Sequence, residues 1–261
     1  MPPGPETMTR FERNFQRIKS RAGFIIGAVL AFKRVAVRGG ENFVPEGPSI
    51  IVGNHCGSLK DVAAVYRAAP RYVQFTANRM LFSRFEMDFV IRRHLKRHFG
   101  GLGLVLNAML LPLRRTAGAF VSDNAARIGT VPVDMYSQEG KREAIRTYRE
   151  YLREGAAVVS LQGRGRVMPG DPNPYIRPFG RGAAIVACGL QADHGLAVPV
   201  TPIAIYGAQR PWIVPATIQV NVGPPLFARD HLDGDFDASV LRFKAVLEET
   251  VRGLFFDLIR T

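Results

Sequence analysis

The chain has 261 residues, 47% of them hydrophobic, and a formal net charge of +13. That is enough apolar material for one sizeable core, so the composition excludes an intrinsically disordered chain, and two cysteines, Cys56 and Cys188, exclude a disulfide-stapled scaffold. The basic balance points to an anionic partner, for which three kinds fit: nucleic acid, an anionic membrane surface or a phosphorylated small molecule.

Taken in chain order, the opening Met1-Pro2-Pro3-Gly4-Pro5 is followed late by the first apolar run, which is not the pattern of a cleavable signal sequence. Residues 7–32 read as a helix or helical pair. Arg10, Arg13, Arg17, Lys19 and Arg21 lead into an apolar run from Ala22 to Phe32, closed by Lys33 and Arg34. The run falls short of the roughly 20 residues that cross a bilayer. A basic segment leading into a short apolar helix suits the membrane interface instead. Residues 1–34 are therefore expected to form a membrane-associating segment, and 35–261 the main domain.

Residues 35–38 alternate like a strand, 49–53 form a second, 61–67 are helical up to Pro70, and 72–75 are a further strand candidate. Residues 79–128 read as mostly helix or apolar loop. Within them a second apolar stretch, 102–113, follows the basic Arg92-Arg93-His94-Leu95-Lys96-Arg97-His98 and precedes Arg114-Arg115. Two basic–apolar arrangements in one chain favour a membrane surface over nucleic acid. Further on, 130–133 is short and extended, 141–154 helical, 156–161 a buried strand and 182–188 a helix. Residues 197–205 read as a strand broken by prolines, and 217–222 alternate cleanly. Val240, Phe243, Leu247, Val251, Leu254 and Leu258 mark a C-terminal helix packed on the core. Strands alternating with helices imply an α/β fold: one domain, with a mixed, mostly parallel sheet flanked by helices.

The stretch richest in chemistry is Gly53-Asn54-His55-Cys56-Gly57-Ser58-Leu59-Lys60-Asp61, directly after the apolar Ile50-Ile51-Val52. A histidine and an aspartate at a strand end can form an acid–base couple. Imidazole is suited to proton transfer near neutral pH, and a carboxylate on its second nitrogen fixes tautomer and orientation. Such a pair can deprotonate a hydroxyl for attack on a carbonyl. Ser58 and Asp61 also have the spacing of a helix N-terminal cap.

The order of blocks resembles the glycerolipid acyltransferases typified by 1-acyl-sn-glycerol-3-phosphate acyltransferase, the PlsC type. The resemblance runs from about Val35 to Leu226. It rests on Asn54-His55 to Asp61, Gly129-Thr130-Val131-Pro132-Val133-Asp134, Leu161-Gln162-Gly163-Arg164-Gly165-Arg166 and Val198-Pro199-Val200-Thr201-Pro202-Ile203. The lead-in 37–47 and Pro178-Phe179-Gly180-Arg181-Gly182 fit as well. The resemblance implies a membrane-associated O-acyltransferase that uses an acyl-CoA or acyl-carrier-protein thioester and no metal or redox cofactor. Its catalytic residues would be His55 as base and Asp61 as partner. Substrate would be bound by Asn54, Ser58, Gln162, Gly163, Arg164 and Arg166, with Gly163 and Arg166 also candidates for holding the oxyanion. Its partners would be anionic membrane lipids at the cytoplasmic face, and no nucleic acid.

Three positions depart from the family pattern. Five residues separate His55 from Asp61 where the family has four; the extra one falls between His55 and Ser58, so Gly57 is expected to absorb a bulge. The arginine expected after Asp134 is Met135, which puts a phosphate at that point of the acceptor in doubt unless Arg127, Arg142 or Arg146 replaces it. The glutamate of the third block is Gln162, which keeps hydrogen-bonding capacity without the charge. The departures leave open a second reading, a member of the fold without turnover that binds lipid or acyl chains at a membrane. Two other constellations carry less. Cys56 neighbours His55, but side chains adjacent in sequence point apart; His94 and His98 have metal-ligand spacing among arginines that repel a cation.

Overall fold

The computed structural model describes residues 8–134, 137–162 and 176–260, the side chains of Val90, His94, Arg97, His98 and Phe99 excepted. In chain order these form α1 (Arg10–Val29), β1 (Lys33–Arg38), β2 (Ser49–Asn54), α2 (Leu59–Ala68), β3 (Gln74–Asn78), α3 (Arg84–Phe99), α4 (Leu102–Met109) and α5 (Leu111–Ala125). Then come β4 (Val131–Val133), α6 (Gln138–Arg153), β5 (Ala157–Gln162), α7 (Gly182–His194), β6 (Pro199–Tyr206), β7 (Ala216–Val222), β8 (Leu226–Phe227) and α8 (Phe236–Ile259). Contacts divide the chain into two units. The first comprises Met1–Lys19 and Phe75–Ala144, the second Ser20–Gln74 and Ile145–Thr261. The result is a mixed α/β fold built on a mostly parallel sheet flanked by helices.

In the second unit the strands lie in the order β1-β7-β6-β2-β5. β2 pairs parallel with both β5 and β6, and β1 parallel with β7, while β6 and β7 are antiparallel. All six residues of β2 are buried, which is why Ser49-Ile50-Ile51-Val52 is a continuous run rather than an alternation. β6 crosses its prolines intact. Pro202 falls between the segment paired with β8, at Pro199 and Val200, and the segment paired with β7, from Ile203 to Tyr206. A residue without an N–H is thus placed where the strand changes partner. Its carbonyl still accepts from the Gly223 N–H at 2.9 Å.

Two helices of this unit show why they pack as they do. α7 buries Ala183, Ala184, Val186, Ala187, Cys188, Gly189 and Leu190, a small-residue helix buried nearly all round, and continues past the expected 188 to His194. α8 is started by Asp235, whose carboxylate accepts from the Ala238 N–H. It buries Val240, Phe243, Leu247, Val251, Phe255 and Leu258 at helical spacing.

In the first unit β3 and β4 pair in parallel, with Thr76 opposite Val131 and Asn78 opposite Val133. α3, α4 and α5 follow one another with almost no connecting loop. Gly103 brings α4 onto α3, since a Cβ there would lie 2.7 Å from the Leu95 carbonyl oxygen. Gly118 of α5 faces Met87 and Ile91 of α3. Between the three helices runs a polar chain: Arg114 Nε lies 2.8 Å from Asp88 Oδ1, Arg114 Nη1 donates to Asn107 Oδ1 at 2.7 Å, and Asn107 Nδ2 donates to the Arg92 carbonyl.

Candidate active site

The site is built where β2 ends. Asn54, its last residue, is fully buried, and its amide is tied to the backbone of β6: the Ile205 N–H donates to Oδ1 at 2.7 Å and Nδ2 donates to the Ile205 carbonyl at 2.9 Å. Read from the sequence as a substrate contact, Asn54 instead joins the carboxyl ends of two neighbouring strands. Gly53 allows that approach, because a Cβ there would sit 2.5 Å from Ile203 Cγ1. The carboxyl edge of parallel strands is where α/β folds place their ligands.

From that anchor the chain turns through residues 55–58 into α2. His55 Nδ1 lies 2.9 Å from Asp61 Oδ2, with the imidazole 14% exposed and the carboxylate fully buried. The same oxygen of Asp61 accepts from the Gly57 N–H at 2.6 Å. Asp61 sits in the first turn of α2, where the helix dipole favours an anion. With Nδ1–H donating to Asp61, the lone pair of His55 is on Nε2. The pair can therefore accept a proton at Nε2 while the buried carboxylate stabilises the imidazolium that results.

The extra residue is accommodated differently from the sequence expectation. Gly57 has no positive φ; Ser58 does, at φ 59° and ψ −121°. Gly57 is needed for space, since a Cβ would lie 2.4 Å from the Cβ of Ala208 and 2.5 Å from its carbonyl oxygen. With Gly57 pressed against the segment after β6, the backbone makes its abrupt turn one residue later, at Ser58. The Ser58 hydroxyl makes no capping hydrogen bond. It is the Asp61 carboxylate that reaches back past the N-cap to the Gly57 N–H, and the same oxygen orients His55.

Cys56 points into the same structure and away from nucleophilic chemistry. Its thiol lies 3.5 Å from the Ile205 carbonyl and 3.7 Å from Asp61 Oδ1. Burial pushes the thiol well above its ordinary range, and the charge and hydrogen bond of Asp61 add to the shift. A thiol held protonated beside a carboxylate is a poor nucleophile.

Of the other predicted residues, Gln162 ends β5 opposite Asn54 of β2. Its Nε2 donates to Ser160 Oγ at 2.6 Å, and its Oε1 accepts from the Gly180 N–H at 3.1 Å. Gln162 thus holds the Pro178–Gly182 segment beside the strand ends. Gly163, Arg164 and Arg166 lie outside the described residues, as does Met135. In the first unit a cation stands at Asp134: Arg79 Nη1 is 3.4 Å from its Oδ2. Arg79 was not among the replacements that the sequence suggested.

Two lysines are buried here: Lys60, which the sequence did not single out, and Lys33, which it read as a cation closing the N-terminal apolar run. Lys60, next to Asp61, donates to the Arg210 carbonyl, and Lys33 donates to the carbonyls of Pro211, at 2.7 Å, and Val214. Together they fasten the 207–215 segment whose Ala208 packs on Gly57. Burial lowers both ammonium groups, and Lys33 adds to the shift of Lys60. The only sequence signal is a lysine set in the apolar lead of α2, with Asp61 beside it.

No protein-family model matches the sequence, and no curated protein matches it. Among solved structures, the chain is similar to the 1-acyl-sn-glycerophosphate acyltransferase PlsC from Thermotoga maritima, with a TM-score of 0.51 and 18% identity over 93% of this chain and 84% of that one. At that identity the likeness establishes architecture: the chain shares the fold of that protein.

Proposed function

We propose that this chain is a membrane-associated O-acyltransferase that moves a fatty acyl group from a thioester to a hydroxyl of a lysophospholipid or related polar lipid. The observation that carries the reading is the 2.9 Å contact between His55 and Asp61, kept at the carboxyl end of β2 despite the inserted residue. A chain that had merely inherited the fold has no need to re-form this contact through a strained turn at Ser58. The fold of the Thermotoga maritima acyltransferase supports the same reading.

In the proposed reaction His55 Nε2 takes the proton of the acceptor hydroxyl as its oxygen attacks the thioester carbonyl. Asp61 stabilises the imidazolium. Attack forms the ester C–O bond and moves the carbonyl electrons onto oxygen; collapse of the tetrahedral intermediate re-forms the carbonyl, breaks the C–S bond, and the imidazolium gives its proton to the leaving thiolate. Gly163 and Arg166 are the proposed holders of the oxyanion, with Arg164 toward the donor's phosphates. Acyl-CoA and acyl carrier protein both satisfy this chemistry as donors, and no metal or redox group takes part in it. The cytoplasmic face of a membrane is the proposed location, supported by the net charge of +13.

The test is transfer of labelled acyl groups from acyl-CoA and acyl carrier protein to a panel of lyso-lipid and glycolipid acceptors in vesicles. Transfer to at least one acceptor, lost in His55→Ala, is expected. Tight vesicle binding with no transfer to any acceptor would instead favour the lipid-binding reading.

A further inference from the structure

Around α4 the usual distribution is reversed, with polar groups toward its neighbours α3 and α5 and large apolar groups outward. Toward its neighbours α4 presents Gly103, buried, and Asn107, half-buried. Outward it presents Leu102, Leu104, Val105 and Met109, and the bend into α5 adds Leu110 and Leu113. Leu104 and Leu113 are each 63% exposed and Met109 73%, values far from those of a core helix. Inside, the guanidinium of Arg114 is 5% exposed and bound to Asp88 and Asn107. In water this distribution is unfavourable on both counts: large apolar side chains stay hydrated while the charge of Arg114 is buried against a half-buried Asp88. In lipid it is the expected one, with small residues and polar groups at helix contacts and aliphatic side chains outward.

Two further features fix the occupant and the depth. The exposed cations Arg92, Arg93 and Lys96, late in α3, and Arg115, early in α5, flank the apolar surface in sequence, so it is bordered by groups that attract anionic headgroups. Among the described residues no single helix is long and apolar enough to cross a membrane, whereas α4 and α5 pass that test together with a bend of 73° between them. The eight residues of α4 measure about 12 Å, well under the roughly 30 Å of a hydrocarbon core.

We infer that α4, with the adjoining turn of α5, is a re-entrant element that inserts into one leaflet of an anionic phospholipid membrane. The inference shares with the proposed function the idea of membrane association; its own basis is the exposed apolar face of α4 over the buried Arg114 and Asn107 contacts. It assigns the membrane contact to the second of the two basic–apolar stretches that the sequence singled out.

The experiment is flotation with vesicles of phosphatidylcholine alone and with about 30% phosphatidylglycerol. The wild-type chain is expected to float with the anionic vesicles. The triple variant Leu104→Glu, Val105→Glu, Met109→Glu is expected to lose binding at least tenfold, because three carboxylates cannot enter hydrocarbon. Equal flotation of wild type and variant overturns the inference. So does a lipid-free wild-type dimer that the variant dissociates, if the wild type does not float, since α4 would then be covered by a second copy. A milder variant guards against misfolding: Leu104→Trp in a Trp212→Phe background, with brominated lipids as quencher. Quenching on binding is expected; binding without quenching overturns the inference. Transfer to a detergent-dispersed acceptor should survive in the triple variant. If the wild type transfers nothing, the functional reading fails while flotation still decides this one.

Discussion

Around His55 each residue type answers a specific spatial demand, and two substitutions separate those demands. Gly57→Ala puts a methyl 2.4 Å from the Ala208 Cβ, with backbone behind it, so the 207–215 segment or the His55 turn must move. Overpacking of this kind costs about 1–3 kcal/mol. The variant is expected to unfold at lower urea and to lose acyl transfer with it. Ser58→Gly removes a side chain from a φ of 59° that L-residues rarely adopt, and should raise stability by about 1 kcal/mol. A Ser58→Gly variant no more stable than wild type would show that the turn is not strained. Asp61→Asn keeps the volume and one oxygen that can accept from both the Gly57 N–H and His55 Nδ1–H, which share Oδ2, but it removes the charge that stabilises the imidazolium. Transfer should fall by about 10³-fold or more, as for other oriented base–carboxylate pairs. A loss under tenfold would mean that Asp61 is not the partner that sets the base.

At the scale of elements, the 207–215 segment is the less obvious half of the site, and two buried ammonium groups hold it in place. Unfolded lysines keep their protons up to about pH 10.5, whereas the buried Lys33 and Lys60 release theirs at lower pH. Between those limits the unfolded chain binds more protons, so stability rises with pH in that alkaline window; below it both states are protonated and the dependence vanishes. Lys60→Met should flatten the rise, as read from urea midpoints at pH steps up to 10. An unchanged slope would mean that Lys60 is not buried as described. The same region shows what a sequence can convey. β2 and α8 are legible because one is a continuous apolar run and the other a clean helical stripe. β3 starts two residues later than 72–75 suggests and runs on to Asn78, since a short half-exposed strand has its limits set by its neighbours, here β4 opposite Thr76 to Asn78, rather than by its own pattern. The pairing of His55 with Asp61 can be anticipated from the order of blocks. The turn at Ser58 cannot, because it depends on Ala208, which reaches Gly57 only once β6 lies beside β2.

Across the whole molecule, charge and apolar surface belong to one account. A net charge of +13 is compatible with several partners, and the outward Leu104, Val105 and Met109 suit the lipid surface proposed above. The fold is that of the Thermotoga maritima enzyme, and the His55–Asp61 contact lies at the carboxyl end of its sheet, where the proposed base would act. The central claim is that this base drives acyl transfer. Its most direct test is the initial rate of acyl release from labelled acyl-CoA onto the best vesicle-borne acceptor, for wild type and His55→Ala of matched stability. The account predicts a wild-type rate that falls by about 10²–10⁴-fold in the variant, the range for loss of a general base. A His55→Ala rate equal to that of wild type would contradict it.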